Sequence, residues 1–409
     1  MRFDHVCLES IGFTLPEEII TSVQIEETLG SVYDRLGFPP GRLEWMSGVG
    51  QRRVWPRGFR VSDASVRSGE HAIEAAGIDR SEIGMLIHAS VCRDFLEPAT
   101  ASRVHHLLKL PASCLVYDVS NACLGLLNGM IQIATSIQAG ILRAGIVVGT
   151  ESSRNLLEAT LQMLTTRPDL TRHSIKPSFA SLTIGSGSCA ILLTHESISR
   201  SGSRLHTAVS QAHTEYHDLC HSDEDQAGAG MTPLMETDSE QLLVAGVATG
   251  QAAFERFLLE QKAAVESIDR TICHQVGSAH RKLMLQTLGL QPATDYATFS
   301  WLGNTGSVAL PLTLAMAARC EFISSGNQTA LLGIGSGINS LMLGVSMEKL
   351  PVGGDLDDAA CEALTTVDAQ HFASSSNAVS STAVAKPPHI PLGDYKRAGE
   401  PRSTESPTT

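Results

Sequence analysis

The chain has 409 residues, of which 43% are hydrophobic and 18% are charged, and its formal net charge at pH 7 is −13. This composition supplies enough apolar side chains for one large folded core or for two fused ones. Binding to nucleic acid needs clustered lysine and arginine side chains, which this acidic chain lacks, so we expect no nucleic-acid partner.

The amino terminus and the cysteines predict a cytoplasmic protein. The start of the chain carries an acidic side chain at Asp4 and no long apolar stretch, which is not typical of a secretory signal peptide. Nine cysteines at scattered positions, without a CxxC pair, fit a reducing compartment. No apolar run reaches the roughly 18 residues that a membrane span needs, so we expect no membrane span and a soluble pocket for any lipid substrate.

The first half of the chain alternates between apolar strands and a helical repeat. Residues 85–90 and 114–119 have the continuous apolar character of buried parallel strands. Apolar residues between 126 and 134 recur at helical spacing, and residues 144–149 return to a strand pattern. This order predicts a parallel crossover unit, to which residues 188–193 add another strand.

A polar, histidine-rich stretch separates this half from a second, similar one. Residues 199–230 show no clear periodicity, and we place the boundary between residues 198 and 199. The patterns that follow predict helices over 252–265, 278–288 and 307–318, a strand that ends at 274, and strands over 329–334 and 340–345.

The chain therefore divides into two similar α/β halves and a tail. The halves are residues 1–198 and 199–350. Residues 351–409 are rich in Ser, Thr, Ala, Pro and Asp, and they cannot bury enough apolar area to offset the entropy lost on ordering. We expect this segment to be a disordered tail.

Cys123 occupies the junction where the 114–119 strand ends and the helical pattern begins. A helix start offers unpaired backbone N–H groups and the positive end of the helix dipole. Both favour a thiolate and lower a cysteine pKa from about 8.5 toward neutrality. We expect Cys123 to be a nucleophile that attacks a thioester.

Two polar residues of the second half are candidate partners for this nucleophile. His274 comes where an apolar strand ends, the place where active-site groups collect in parallel α/β sheets, and it could stabilise the thiolate or bind a carbonyl oxygen. Asn304 stands between Gly303 and Gly306, which allow a tight turn. Its amide cannot ionise, and one such donor to an enolate or carbonyl oxygen typically lowers a barrier by about 3 kcal/mol.

Residues 333–337 form a Gly-Ile-Gly-Ser-Gly loop after a predicted strand. The glycines permit close backbone approach, so an amide of this loop and the amide of Cys123 could together receive an oxyanion. A phosphate-binding loop is the competing interpretation, but the sequence lacks the lysine of a P-loop and the full dinucleotide spacing.

The order of these motifs along the chain resembles that of the thiolase superfamily, and within it that of the ketoacyl synthase III enzymes: the cysteine comes first, then the His-Gln pair, the Gly-Asn-Thr-Gly-Ser motif and the glycine loop. Residues 90–100, 117–125, 214–220 and 331–339 resemble the long-chain olefin-biosynthesis condensing enzymes. The similarity extends over residues 1–347 and implies a doubly repeated, five-layered thiolase fold that is active as a homodimer.

The resemblance also implies a role for each candidate residue. Cys123 would carry the first acyl group, while His274 and Asn304 would bind the thioester oxygen of the second substrate. The amides of Cys123 and Ser336 would form the oxyanion hole. Glu97, contributed by the partner subunit, would remove the α-proton.

The chemistry of Glu97 separates two reaction types. Joining two plain acyl thioesters requires a carboxylate within reach of an α-proton, whereas a malonyl unit generates its carbanion by losing carbon dioxide. A solvated loop carboxylate before Pro98 is the alternative interpretation of this residue.

Arg52 and Arg53 lie in a segment that resembles the family's pantetheine entrance, and either could meet a coenzyme A phosphate; solvated ion pairs are the alternative. After the His-Gln pair the chain lacks the Asn and Arg that ketoacyl synthase III proteins often carry.

We expect no metal or redox cofactor, because coenzyme A or acyl carrier protein enters with the substrate. Four residues fall at a spacing that could suit a metal ion: His213, His217, Cys220 and His221. Their order does not match the HExxH motif, and the family that the chain resembles has no metal site.

The sequence thus predicts an acyltransferase that joins two acyl thioesters, expected to be long-chain acyl-CoA, without decarboxylation, giving a 2-alkyl-3-keto acid or its thioester. A decarboxylative 3-oxoacyl-ACP synthase III that uses malonyl on acyl carrier protein is the first alternative. A non-catalytic partner subunit of a homologous enzyme is the second, and the intact set of Cys123, His274 and Asn304 argues against it.

Overall fold

The computed structural model describes residues 1–222 and 234–356. The first half is built from seven strands and seven α-helices, with short 3-10 turns between some of them. In chain order they are β1 (Val6–Thr14), β2 (Glu18–Thr21), α1 (Ser22–Thr28), α2 (Gly30–Leu36), α3 (Arg42–Ser47), β3 (Gln51–Val54), α4 (Val61–Ala76), β4 (Ile83–Ala89), α5 (Thr100–Leu107), β5 (Leu115–Val119), α6 (Gly125–Gln138), β6 (Ala144–Glu151), α7 (Arg154–Thr166) and β7 (Gly187–His195).

The described part of the second half contributes the remaining strands and helices. In chain order they are β8 (Arg204–Ala212), β9 (Cys220–Ser222), β10 (Met235–Thr237), α8 (Ser239–Gln261), β11 (Arg270–Cys273), α9 (Ser278–Leu288), α10 (Phe299–Leu302), α11 (Ala309–Arg319), β12 (Gln328–Gly335), β13 (Asn339–Ser346) and β14 (Val352–Gly354).

The main strands follow one another in the order β11-β12-β13-β8-β1-β7-β6-β4-β5, and β14 pairs with β1. Strand β4 pairs in parallel with both β5 and β6, which confirms the predicted crossover unit. Strands β1 and β8 share only the pair Cys7 and Arg204. The path is therefore two sheets, one from each half, that meet at this point.

Alternating side chains divide the molecule into layers. In β7, Ile191 packs into a central cluster with α6 and α11, whereas Leu192 packs outward with α4 and α5. In β13, Leu341 joins the central cluster, and Met342 packs outward with α8 and α9. Two sheets enclose the α6 and α11 layer and carry helices on their outer faces, which confirms the five-layered α/β arrangement.

The structure corrects the sequence-based prediction in three places. Residues 199–230 show no clear periodicity in the sequence, yet residues 204–212 form β8, whose polar side chains interrupt the apolar strand pattern. The helix predicted over 252–265 begins much earlier, at Ser239. The predicted tail starts with an ordered segment, because β14 pairs in parallel with β1. Residues 357–409, the rest of the predicted tail, lie outside the described residues.

Within the described ranges, α8 is the one helix whose length and composition would suffice to cross a membrane, and 44% of its most apolar window is buried inside the protein. Phe254 and Phe257 on this helix pack in the outer cluster of the second half against β12 and β13. The apolar character of α8 therefore matches its position as a covering helix.

Candidate active site

Cys123 lies in the loop between β5 and α6, two residues before the helix begins at Gly125. The preceding residue, Ala122, has a φ of 42°, in the left-handed region that residues other than glycine rarely adopt. This tight turn leaves the Cys123 side chain half-buried at the start of a central helix.

The end of β12, which leads into the glycine turn before β13, lies directly against this loop. A Cβ added at Gly335 would lie 3.5 Å from the Cys123 amide nitrogen, and one at Gly333 would lie 2.5 Å from Leu127 Cδ1. Only glycine permits the backbone to approach α6 so closely. The turn that contains Ser336 is thus beside the Cys123 amide, as an oxyanion hole made from both amides would require.

His274 directly follows β11 and continues its pairing, because its N–H donates to the Leu332 carbonyl at 3.1 Å. The residue is 5% exposed. Burial, with a smaller contribution from neighbouring His280, lowers the pKa of His274 to about 3. His274 is therefore a neutral imidazole at physiological pH, suited to hydrogen bonding with a substrate oxygen.

Gln275 ties this strand end to the segment that leads to Asn304. Its Nε2 donates to the Cys273 carbonyl at 2.6 Å, and its Oε1 accepts from the Thr298 N–H at 2.8 Å and the Phe299 N–H at 3.3 Å. Gln275 is 1% exposed. The second member of the His-Gln pair is thus a buried link between two segments of the site.

Asn304 is held by its own backbone and by its side-chain oxygen. Its N–H donates to the Thr183 carbonyl at 3.0 Å, and its carbonyl accepts from the Gly185 N–H at 2.9 Å. The Oδ1 atom accepts from the Gly306 N–H at 3.0 Å. Since the amide oxygen is engaged within the turn, the side-chain nitrogen is the donor atom that this amide could offer to a substrate.

The expectation of a resting thiolate at Cys123 is wrong. Burial, with smaller contributions from the charges of Glu151 and Cys220, raises the pKa of Cys123 to about 12, and the backbone hydrogen bond that lowers the pKa is a smaller effect. Desolvation thus outweighs the helix start. The protein therefore presents a neutral thiol at position 123 near neutral pH.

Glu151 is the site residue that sequence reasoning missed. It is the last residue of β6 and is 6% exposed, and burial raises the pKa of its carboxyl group. The signal that drew attention to His274, a polar residue at the end of an apolar strand, was equally present at Glu151.

Glu97 is exposed on the segment between β4 and α5. The carboxylate whose charge raises the pKa of the Cys123 thiol is that of Glu151. The segment around Glu97 also exposes apolar side chains, with Val91 at 51% and Phe95 and Leu96 at 52% each.

The prediction that Arg52 meets a coenzyme A phosphate is wrong. Arg52 is fully buried, and its guanidinium donates to the Ile20 carbonyl and to Ser22 Oγ. Arg53 is half-buried and donates to the Pro16 carbonyl at 2.7 Å, so its role stays a prediction. Burial lowers the pKa of both arginines.

The histidine-rich stretch does not form a metal cluster in the described part of the chain. His213 Nδ1 bonds with Thr249 Oγ1 at 3.0 Å, and the exposed His217 pairs with Asp218 at 2.8 Å. These side chains have separate local partners.

Comparison with known proteins places the chain in a family. A thiolase amino-terminal domain model matches residues 46–213, and a 3-oxoacyl-[acyl-carrier-protein] synthase III carboxy-terminal model matches residues 258–344. An acyl-CoA:acyl-CoA alkyltransferase from Shewanella oneidensis is 37% identical over 84% of this chain and 99% of its own length. The chain belongs to the acyl-CoA:acyl-CoA alkyltransferase family. A second member of the alkyltransferase family, from Xanthomonas campestris, is 32% identical over 84% of this chain and 98% of its own length.

Solved structures agree with membership of the alkyltransferase family and of the thiolase fold. Xanthomonas campestris OleA with a cysteine replaced by alanine gives a TM-score of 0.80 at 32% identity, covering 85% of this chain and 98% of its own. OleA with bound lauric acid and lauroyl-CoA gives 0.79 at 32%, covering 84% and 99%. A 3-oxoacyl-(acyl carrier protein) synthase III from Xanthomonas oryzae gives 0.79 at 32%, covering 85% and 100%. The alkyltransferase family members are acyltransferases that condense acyl groups, so the chain is an enzyme of this class.

Proposed function

We propose that the protein joins two acyl-CoA thioesters by a Claisen condensation without decarboxylation and forms a 2-alkyl-3-keto acid or its thioester. The observation that carries this proposal is the position of Cys123, at the start of α6 with its amide beside the glycine turn of Ser336. The alkyltransferase relatives support acyl-CoA as the substrate class. Coenzyme A enters as part of the substrate.

In the first half-reaction, the Cys123 sulfur attacks the carbonyl carbon of one thioester, and the amides of Cys123 and Ser336 hold the resulting oxyanion. The bond to coenzyme A then breaks, and the thiol proton leaves with the coenzyme A sulfur. Because burial raises the pKa of Cys123, this proton moves during the attack rather than before it.

In the second half-reaction, the Glu97 carboxylate removes the α-proton of the second thioester. His274 and Asn304 donate hydrogen bonds to the enolate oxygen, and both are neutral donors at physiological pH. The α-carbon attacks the acyl group on Cys123, a carbon–carbon bond forms and the cysteine sulfur leaves. The proton taken up at Glu97 balances the proton that Cys123 regains. The product is the 2-alkyl-3-keto thioester of coenzyme A, and its hydrolysis by water releases coenzyme A and gives the acid.

Glu97 acts, in this proposal, in the site of a second copy of the chain. Strand β5 ends the sheet order, and Leu115 on it is 52% exposed. Unpaired strand edges flanked by exposed apolar side chains such as Phe95 and Leu96 are sites of pairing with another chain. A two-fold dimer along this edge would cover these side chains and direct Glu97 away from its own Cys123.

The experiment that tests the function separates the two half-reactions. The protein is incubated with myristoyl-CoA, acylation of the Cys123 peptide is measured by mass spectrometry, and the condensed product is measured by chromatography. We expect wild type to acylate and condense, Glu97→Gln to acylate without condensing, and Cys123→Ala to do neither. Folded wild-type protein that leaves Cys123 unmodified would contradict the proposal.

The second candidate is a decarboxylative synthase, favoured by the similarity to the Xanthomonas oryzae 3-oxoacyl-(acyl carrier protein) synthase III. With malonyl carried on acyl carrier protein, such an enzyme forms its carbanion by losing carbon dioxide and does not depend on Glu97. Retained condensation by Glu97→Gln with this substrate would identify it. A pathway output unaffected by Cys123→Ala would instead identify a non-catalytic partner subunit.

We place this reaction in the cytoplasm. The cysteines of the described residues are all free thiols, among them the half-buried Cys92, Cys123 and Cys220. Thiols persist in a reducing compartment, where acyl-CoA substrates would reach the site from solution.

A further inference from the structure

Glu151 is a buried carboxylate to which the proposed reaction assigns no step. Within the described residues no basic side chain forms an ion pair with it, so hydrogen bonds alone compensate its burial. A carboxylate kept in such a position needs a structural or functional reason, because burial of a charged group without a partner is unfavourable.

The hydrogen bonds of Glu151 join two segments of the site. Its Oε1 accepts from the Val91 N–H at 3.1 Å, at the start of the segment that carries Glu97. The same oxygen accepts from Ser307 Oγ at 2.5 Å, three residues after Asn304. One carboxylate at the end of β6 therefore contacts both the base-bearing segment and the amide-bearing turn.

The packing around these bonds leaves little freedom. Gly306 has a φ of 58°, and a Cβ added there would lie 3.2 Å from Glu151 Cγ. Ser307 Oγ also lies 3.3 Å from the Ala89 carbonyl at the end of β4, which precedes Val91 by two residues. The turn is thus fitted against the carboxylate stem and against the neighbouring strand end.

We propose that Glu151 is a positioning residue that fixes the segment carrying Glu97 and the turn carrying Asn304 to the same strand end. This inference rests on the proposed function, in which both of those residues serve the second half-reaction. Loss of the carboxylate therefore affects condensation more than acylation of Cys123.

The test compares the two half-reactions in Glu151→Ala and Glu151→Gln, with myristoyl-CoA as the probe. We expect the alanine variant to acylate Cys123 at close to the wild-type rate and to condense at least about tenfold more slowly, since two buried hydrogen bonds are lost. The glutamine variant keeps an oxygen that accepts both bonds, so it restores condensation to within about threefold of wild type.

Glu9→Ala is the matched control. Glu9, in β1, is fully buried, and its carboxylate accepts hydrogen bonds from the Thr194 and Ser199 hydroxyls and from the backbone N–H groups of residues 200 and 201. None of these donors lies in a segment that carries a proposed site residue. We expect this variant to lower stability without separating the half-reactions. If Glu151→Ala does not fold, Ser307→Ala removes one of the same bonds and is expected to slow condensation selectively.

The outcomes distinguish this inference from the function on which it rests. Wild-type protein that does not condense acyl-CoA would overturn the function. Wild-type condensation together with equal losses of both half-reactions in Glu151→Ala, or with no loss in either, would overturn the positioning role. A glutamine variant as defective as the alanine variant would also overturn it, because the carboxylate charge would then be what matters.

A separate readout tests whether Glu151 is also close to the nucleophile. The charge of Glu151 raises the pKa of the Cys123 thiol, so its removal in Glu151→Gln stabilises the thiolate. The rate of Cys123 alkylation by iodoacetamide at a fixed neutral pH is expected to increase in this variant. An unchanged or slower rate would overturn the placement of the carboxylate beside the site.

Discussion

Arg281 and Asp295 form an ion pair in which Arg281 Nε donates to Asp295 Oδ2 at 2.6 Å and the two side chains are 7% and 0% exposed. The other carboxylate oxygen accepts from the Cys273 N–H at 3.1 Å, immediately before His274. The pair therefore supports the strand end that positions His274. It also directs a basic side chain that follows the His-Gln pair into the core rather than toward a phosphate.

Asp295→Ala should destabilise the protein by about 3–5 kcal/mol, because it leaves a buried guanidinium without its partner. The free energy of unfolding, measured in urea, checks this. Asp169→Ala is the control, since Asp169 pairs with Arg167 on the surface and its loss should change stability little. Equal effects of the two substitutions would contradict the structural role of the buried pair.

Gln275→Ala should destabilise the protein by about 1–3 kcal/mol and slow condensation. The buried N–H groups of Thr298 and Phe299 would lose their acceptor, and the link between the His274 and Asn304 segments would be lost. Urea unfolding and product formation from myristoyl-CoA measure the two effects. Gln286→Ala, at an exposed position of α9, is the control, and a Gln275 variant indistinguishable from it would refute the link.

Alkylation of Cys123 should lack a plateau near neutral pH. The pKa of this thiol is raised to about 12, so the thiolate fraction is small at neutral pH and grows as the pH rises toward the pKa. The rate with iodoacetamide should rise about tenfold per pH unit from about pH 7 to about pH 9. Mass spectrometry of the Cys123 peptide measures it, with fully buried Cys189 as the internal control. A rate already constant above pH 7 would show a lowered pKa instead.

Dimers that carry Glu97→Ala in one chain and Cys123→Ala in the other should be active. The proposed exchange of Glu97 across the two-fold gives each such dimer one complete site, hence roughly half of the wild-type activity per dimer. Two affinity tags isolate the mixed dimer, and each homodimeric variant serves as an inactive control. If Glu97 served its own chain, the mixed dimer would have no complete site and no activity.

Local pattern was sufficient for much of the fold. The helix predicted over 278–288 is α9 with the same bounds, and the strands predicted over 329–334 and 340–345 are β12 and β13 with one extra residue at each end. Strand β8 was missed because polar side chains such as those of Ser210 and Gln211 interrupt its apolar pattern. Strand β14 was missed because three residues owe their extended form to pairing with β1, not to their own composition.

The amino-acid sequence by itself determined the alternation of strands and helices, because hydrophobic periodicity is a local property. It also identified Cys123, His274 and Asn304 as polar residues next to the ends of these elements, because the residues that end a strand or helix are local signals too. Only the tertiary structure decided the neutral state of Cys123, the burial of Arg52 and the hydrogen bond that joins Glu151 to a serine 156 residues away. Desolvation and hydrogen bonding depend on which distant segments meet, and no local pattern contains that information.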